Sequence, residues 1–368
     1  MKVLQILPEL NAGGVERGTL ELAAWLVREG HEALVISRGG RLVAELEQSG
    51  ARHIAMPVHR KSLASLLQVR PLRRLMEQEK PDIVHFRSRV PGWITWLAWK
   101  QLNPATRPRL VSTVHGFNSV NRYSAIMTRG ERVIAVSQSV ADFVRQNYPH
   151  TTAEKLRVIP RGIAPECYYA GWQPDTAWLA RWRREYPQLA GQSVLLMPGR
   201  ITRLKGHEDF FTLIAGLKVA GLPVHGLVVG GTHEKKRAYH EEICASVAAR
   251  GLANDITFTG HRSDLREIMA VSDIVFGLTK QPEAFGRTML EALALGKPAI
   301  GYDCGGVGEI LAALYPPGRV PPQDAVALRE TTRRILSERP APLPVAEPYT
   351  TEAMCRATLE VYLELTGQ

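Results

Sequence analysis

Short runs of aliphatic and β-branched residues alternate with longer segments of helical period, and the alternation runs through the chain twice. In the first half, residues 2–7, 33–37, 83–86, 110–115, 133–137 and 156–159 read as strands, with helical patterns at 16–29, 63–79, 92–101 and 139–147. In the second half, 194–198, 226–229, 256–259, 274–278 and 299–302 read as strands, separated by helical patterns at 208–219, 234–249, 264–270 and 286–295. Strands that are apolar throughout, rather than alternating, belong to parallel sheets covered by helices on both faces. The pattern therefore predicts an α/β chain of two doubly wound parallel-sheet domains.

The join is expected near 164–172, after the turn Pro160-Arg161-Gly162. Proline-rich stretches at 316–322 and 340–348 read as loops, because proline continues neither element. Residues 351–365 read as a closing helix. The expected domains are 1–165 and 166–345, with the closing helix at 350–368 packing back on the first. A chain of 368 residues agrees with two cores rather than one.

Composition narrows the function classes. No apolar run approaches the length needed to cross a bilayer, and the N-terminus reads as a buried strand rather than a signal peptide. Four cysteines, Cys167, Cys244, Cys304 and Cys355, have no metal-like or redox spacing, which suits a reducing cytosol. The net charge of +10 is one-sided. Residues 1–165 carry 24 Lys and Arg against 13 Asp and Glu, whereas the remainder carries 22 against 23. Such a field favours an anionic partner at the first half, or serves only solubility.

Candidate chemistry falls where strands end and helices begin, the places at which doubly wound sheets bind ligands. Gly13 and Gly14, in Asn11-Ala12-Gly13-Gly14-Val15-Glu16, follow the first strand and let backbone approach an anion; a plain tight turn reads equally well. His115-Gly116 ends the strand 110–115. Gly199-Arg200 and Lys205-Gly206 place two cations between a strand end and a helix start, able to meet one diphosphate from two sides. In Pro282-Glu283-Ala284-Phe285-Gly286-Arg287, Glu283 precedes a helix and Glu291 lies about two turns along it. The amides of Ala284, Phe285 and Gly286 sit at that helix mouth. The two carboxylates suit sugar hydroxyls, although an acid and base pair, or a plain polar helix face, remain open.

These strings resemble the signature of family 4 of the retaining glycosyltransferases. The resemblance is carried by Glu283 and Glu291, Gly296-Lys297-Pro298 and Gly305-Gly306-Val307-Gly308-Glu309-Ile310. Gly13-Gly14-Val15-Glu16, His115-Gly116, Ala135-Val136-Ser137, Gly199-Arg200 and Lys205-Gly206 fall in the expected order, so it covers nearly the whole chain. It implies the GT-B architecture, two Rossmann-like domains facing across a cleft, with an acceptor met by the first and a nucleotide-sugar donor, expected to be a UDP-sugar, held by the second. It further implies that Glu291 holds the ribose and Glu283 the C3 and C4 hydroxyls of the donor sugar. Arg200 and Lys205 would bind the diphosphate with Gly13 and Gly14, His115 would lie against the transferred sugar, and His261 near the base. No cofactor is implied. The absence of Asp-x-Asp fits metal-independent transfer. Arg161 and Gly308 stand where members often have Asn and Pro.

On the first domain, Arg87, Ser88 and Arg89 follow a strand and are candidates for an anionic glycolipid or oligosaccharide acceptor, such as a lipopolysaccharide core. Arg60, Lys61, Arg70, Arg73 and Arg74 flank leucines in a basic amphipathic stretch that either lies on an anionic membrane or merely covers the sheet. Trp93, Trp96 and Trp99 read as a core-facing stripe, with a membrane interface as the alternative. The expectation is a cytoplasmic enzyme, with peripheral contact to the inner face of the inner membrane. Two rivals are kept: a nucleotide-sugar epimerase or glucan synthase on the same fold, and a basic membrane- or nucleic-acid-binding module. Sparse aromatics among the basic residues argue against nucleic acid.

Overall fold

The computed structural model describes residues 1–11, 13–232 and 237–367. Ala12 of the glycine turn, residues 234–236 of the predicted helix and residue 368 of the predicted closing helix lie outside them. The chain divides into two compact units: Met1–Gly162 together with Glu347–Gln368, and Ile163–Ala346.

The first unit is built on β1 (Lys2–Ile6), β2 (Glu32–Ser37), β3 (Arg52–Ala55), β4 (Ile83–Phe86), β5 (Arg109–Val114), β6 (Arg132–Ala135) and β7 (Leu156–Val158). They form one sheet in the order β3-β2-β1-β4-β5-β6-β7, every pairing parallel. The helices are α1 (Gly14–Arg28), α2 (Val43–Gln48), α3 (Val69–Glu79), α4 (Arg89–Trp99) and α5 (Gln138–Asn147). Parallel strands need crossovers, and the order reverses between β1 and β4, where consecutive crossovers leave to opposite sides.

The second unit repeats the plan. Its strands are β8 (Ser193–Pro198), β9 (Val224–Val229), β10 (Ile256–Gly260), β11 (Ile274–Gly277), β12 (Ala299–Tyr302) and β13 (Arg319–Val320), ordered β10-β9-β8-β11-β12-β13 and again all parallel. Its helices are α6 (Thr176–Glu185), α7 (His207–Val219), α8 (Arg237–Ala249), α9 (Leu265–Val271), α10 (Arg287–Ala294), α11 (Gly305–Leu314) and α12 (Ala325–Glu338). The reversal falls between β8 and β11.

The chain then returns to the first unit as α13 (Thr351–Thr366). Met354, Cys355, Val361 and Tyr362 of α13 join Leu22, Leu26 and Trp25 of α1 and Val3 and Val35 of the sheet in one buried cluster. The same helix reaches the sheet by a polar contact. Fully buried His85 meets the Tyr362 hydroxyl through Nδ1 at 2.6 Å and the Thr113 hydroxyl through Nε2 at 2.7 Å. Both ring nitrogens are thus satisfied, as a buried imidazole requires.

Three expectations are corrected. The helical pattern 63–79 is not one helix: a 3₁₀ turn, Leu63–Gln68, precedes α3. Pro71 is the reason, since its ring is tolerated in a first turn but would strike the preceding carbonyls in a helix interior. The tryptophan stripe divides: Trp99 is buried and donates to the Pro108 carbonyl at 2.7 Å, while Trp93 and Trp96 are only half-buried and meet edge to face at 5.7 Å. The hydrophobic pattern does not predict β3, β13, α2, α6, α11 and α12, which the structure adds. Two of these helices carry a legible start signal, Asp175 accepting from the Trp178 amide at 2.7 Å and Asp324 from Ala327 at 2.9 Å.

Candidate functional site

In the second unit the loops after β8 and β11 flank the strand-order reversal, so residues far apart in sequence meet there. After β8 the backbone passes Gly199 and Arg200, makes a short turn over Arg203–Lys205, and enters α7 through Gly206. Gly206 has φ +78°, and a Cβ there would stand 2.0 Å from the Leu278 carbonyl oxygen. Only glycine allows this close approach, which aims Lys205 toward the loop after β11. The Lys280 amide donates to the Leu204 carbonyl at 2.8 Å and ties the loops together.

Lys205 Nζ donates to Glu283 Oε1, and Thr279 Oγ1 donates to the same oxygen at 2.6 Å. Glu283 Oε2 has no hydrogen-bond partner among the described residues. Burial works to raise the Glu283 pKa, but the charge of Lys205 and the bonds from Lys205 and Thr279 outweigh it, and the carboxyl titrates below its ordinary value. The backbone of Glu283 is fixed as well: its carbonyl accepts from the Gly306 amide at 2.8 Å, at the start of α11. Arg200 is exposed and has no ion-pair partner among the described residues. Arg200, Lys205, Thr279, Gln281 and Glu283 share the wall of a hollow of about 390 Å³.

The other sequence-predicted residues are disposed around this centre or away from it. Gly286 opens α10 at φ +87°, where a Cβ would lie 2.7 Å from Val307 Cγ2. Ala284 and Phe285 lead into it, Phe285 being buried. Glu291 is not in the wall of the hollow: it pairs with Arg287 at 3.0 Å on α10 with its side chain 13% exposed. Burial and then the Glu291 charge push the neighbouring Tyr168 hydroxyl up to about 12. His261 follows β10, exposed, beside Gly231. Among the described residues, no His, Cys, Asp and Glu side chains gather as a metal-holding group.

In the first unit the ends of β1, β4 and β5 lie side by side, and Gly14, Arg87 and His115 follow them in turn. A Cβ built on Gly14 would meet no protein atom within 4 Å, so its backbone is open to approach. The Gly14 carbonyl accepts from Arg161 at 2.6 Å, and Arg161 is itself buried. His115 Nε2 is buried without a hydrogen-bond partner. Burial first, then Arg161, Arg87 and His85, hold the His115 pKa well below 6.5, so the ring is neutral at pH 7.

The sequence treats Arg87, Ser88 and Arg89 as one loop patch; the structure separates them. Arg87 is buried at 4% exposure, its Nε unpartnered, and burial lowers its pKa. Ser88 precedes α4 half-buried, and Arg89 turns away, donating to Ser124 Oγ at 3.3 Å and lying 5.6 Å above the Tyr123 ring. One participant, Thr279, has no mark in the sequence, and a second, Arg161, is marked there only as a departure. Thr279 carries no signal beyond lying four residues before Glu283. Arg161 shows as a departure from the family's usual asparagine, and its contact with Gly14 explains the larger side chain.

Residues 12–166 match the family Glycosyltransferase Family 4 and residues 180–347 match Glycosyl transferases group 1. With both units matched in order and the paired parallel sheets of the GT-B architecture, the chain belongs to this family of glycosyltransferases. It is 25% identical over 400 residues to an uncharacterized glycosyltransferase of Methanocaldococcus jannaschii, covering 98% of this chain and 97% of that one. The crystal structure of a glycosyltransferase from Rickettsia africae is 29% identical, with a TM-score of 0.85, over 99% of this chain and 98% of that chain. An Anabaena protein crystallised in complex with UDP-glucose has the same fold at 21% identity, with a TM-score of 0.74 over 100% of this chain and 98% of that chain.

Proposed function

We propose that this glycosyltransferase moves a sugar, with retention of configuration, from a UDP-sugar to a membrane-linked glycan acceptor such as a lipopolysaccharide core. The observation that carries the reading is the convergence of Arg200, Lys205 and Glu283 on one hollow at the strand-order reversal. The UDP-glucose held by the Anabaena protein of like fold supports the donor class. Arg200, without an acidic partner among the described residues, is available to the diphosphate. Lys205 would exchange part of its hold on Glu283 for a phosphate oxygen. Glu283 would use Oε2 to accept from sugar hydroxyls, and Glu291 would take the ribose.

In the proposed reaction the bond from the anomeric carbon to the β-phosphate oxygen breaks, and UDP leaves with the electron pair. The acceptor oxygen bonds to the anomeric carbon from the same face, and its proton passes to a phosphate oxygen. Arg200 and Lys205 stabilise the departing charge in a partly dehydrated hollow, where fixed charges count for more than in water. They would do the neutralising work a metal ion does in other transferases. His115, neutral, would offer a hydrogen bond to the transferred sugar, the amides of Gly13 and Gly14 would approach the phosphates, and His261 would lie near the base. Ser88 and Arg89 would contact the acceptor, while Arg87, being buried, contributes charge from within. The basic first unit supports an anionic acceptor presented at the cytoplasmic face of a membrane. Among the described residues no helix is long and apolar enough to cross one.

The test is transfer from UDP-sugars, followed by UDP release, in Arg200→Ala, Lys205→Ala and Glu283→Ala. Loss of either cation should lower the rate by about 10²–10³, the loss typical of one donor to a developing oxyanion. Full activity in all three variants would overturn the assignment.

A further inference from the structure

The first unit carries a second concavity that the proposed transfer does not use. The 3₁₀ turn Leu63–Gln68 stands off α4 and leaves a groove of about 590 Å³, walled by Leu66, Val90, Trp93, Ile94, Leu97 and Tyr123. At its mouth the turn presents Leu66 and Leu67 to solvent, 47% and 73% exposed. Two adjacent leucines held out on a tight turn beside an apolar trench cost solvation unless something covers them.

The rim is cationic. Arg60 and Lys61 line the groove on one side. Arg70 and Arg74, on the exposed side of α3, add to the same sign. Among the described residues none of Arg60, Lys61, Arg70 and Arg74 has an ion-pair partner. No Asp or Glu occurs in residues 48–76, nor in residues 83–130. The two segments that build the groove are therefore the two longest acid-free stretches of the first half. Charge decides the occupant. A second copy docking through this same face would bring the same cations and be repelled, whereas an anionic lipid surface offers phosphates to the rim and hydrocarbon to the trench.

We infer that the 60–67 turn and α4 form a docking site for an anionic bilayer, with Leu66 and Leu67 entering the headgroup and acyl boundary, one acyl chain seated in the groove, and Arg60 and Lys61 on lipid phosphates. The inference deepens the membrane-linked acceptor reading but does not need the acceptor itself, so vesicles without acceptor test it separately.

The experiment is flotation of the full chain with vesicles of phosphatidylglycerol mixed with phosphatidylcholine, against phosphatidylcholine alone, at low and high salt. The chain should float with the anionic vesicles only, and less at high salt. Arg60→Ala and Lys61→Ala should each weaken binding about fivefold, and Leu66→Ser with Leu67→Ser about tenfold or more. Thermal melts confirm that the variants are folded. Equal flotation with neutral vesicles, no flotation with either, undiminished flotation of the double leucine variant, or a dimer in solution that hides Leu67 from labelling would each overturn it. If flotation fails while UDP still binds at Arg200 and Lys205, only this inference falls.

Discussion

Lys205 and Thr279 donate to the same oxygen of Glu283, one from the loop after β8 and the other from the loop after β11. The pair spans the reversal in strand order, the position at which a doubly wound sheet opens a crevice. It also leaves the second carboxylate oxygen, Oε2, without a partner among the described residues.

Thr279→Val removes the hydroxyl without changing the side-chain outline. Glu283 then loses one bond to its charged form, so its pKa should rise toward the ordinary 4.5. We expect kcat/KM to fall about tenfold, the worth of one hydrogen bond to a charged group, with the acid limb of the pH–rate profile displaced upward. An unmoved limb would show that Thr279 does not hold the carboxylate. Because the Glu283 pKa is depressed on folding, its contribution to stability is present above 4.5 and is lost as the pH falls through the folded value.

His207, the first residue of α7, is 2% exposed, and burial lowers its pKa to about 4 despite the raising bond its ring donates to the Thr202 backbone carbonyl. The unfolded chain binds a proton near 6.5 and the folded one does not, so stability should fall as pH drops from 6.5 toward 4. The loss is on the order of 3 kcal/mol across that window. Urea midpoints of the wild type and His207→Phe, measured through this range, should converge on acidification. Parallel pH dependences would contradict the assignment.

Gly206→Ala combines an unfavourable backbone with a Cβ placed 2.0 Å from the Leu278 carbonyl oxygen. Since the contact is with backbone, the loop must move, and Lys205 with it. A destabilisation of about 1–3 kcal/mol in urea unfolding is expected, together with a raised donor KM. Wild-type stability and KM would show that the loop tolerates a side chain.

Gly18→Ala tests the first unit. A Cβ there would fall 1.4 Å from the Arg161 guanidinium, which must withdraw and abandon the Gly14 carbonyl. We expect a loss of about 1–3 kcal/mol from the unpaired buried groups. Arg161→Ala in the same background should add less than its own single effect, since both changes break one contact. Strict additivity would mean that the two residues are independent.

The continuous apolar strands were legible because a parallel sheet buries both faces, and a run such as Val194–Pro198 admits few other readings. The edge strand β3, Arg-His-Ile-Ala, and the two-residue β13 lack such a run, so nothing local marks them. Spacing placed Arg200, Lys205 and Glu283 each at a strand end, but that Lys205 and Glu283 touch across 78 positions follows from strand order. Sequence gives strand order only indirectly. Arg87 shows the opposite failure: the residue after a strand can turn inward or outward, and its burial between His85 and the closing helix depends on a segment more than 260 positions away. The spacing of Glu283 and Glu291 does not say which of them faces the hollow; the fold puts Glu283 in its wall and pairs Glu291 with Arg287 on α10.

In the proposed reaction Arg200 and Lys205, which share one hollow of the second unit, clamp the diphosphate. The most direct test of this clamp is the shift in unfolding free energy on adding UDP to the wild type and to Arg200→Ala. At 100 times its dissociation constant UDP should stabilise the wild type by about 2.7 kcal/mol, and the same concentration should leave Arg200→Ala nearly unshifted although its own fold is intact. An equal shift in both proteins, or none in the wild type, would contradict it.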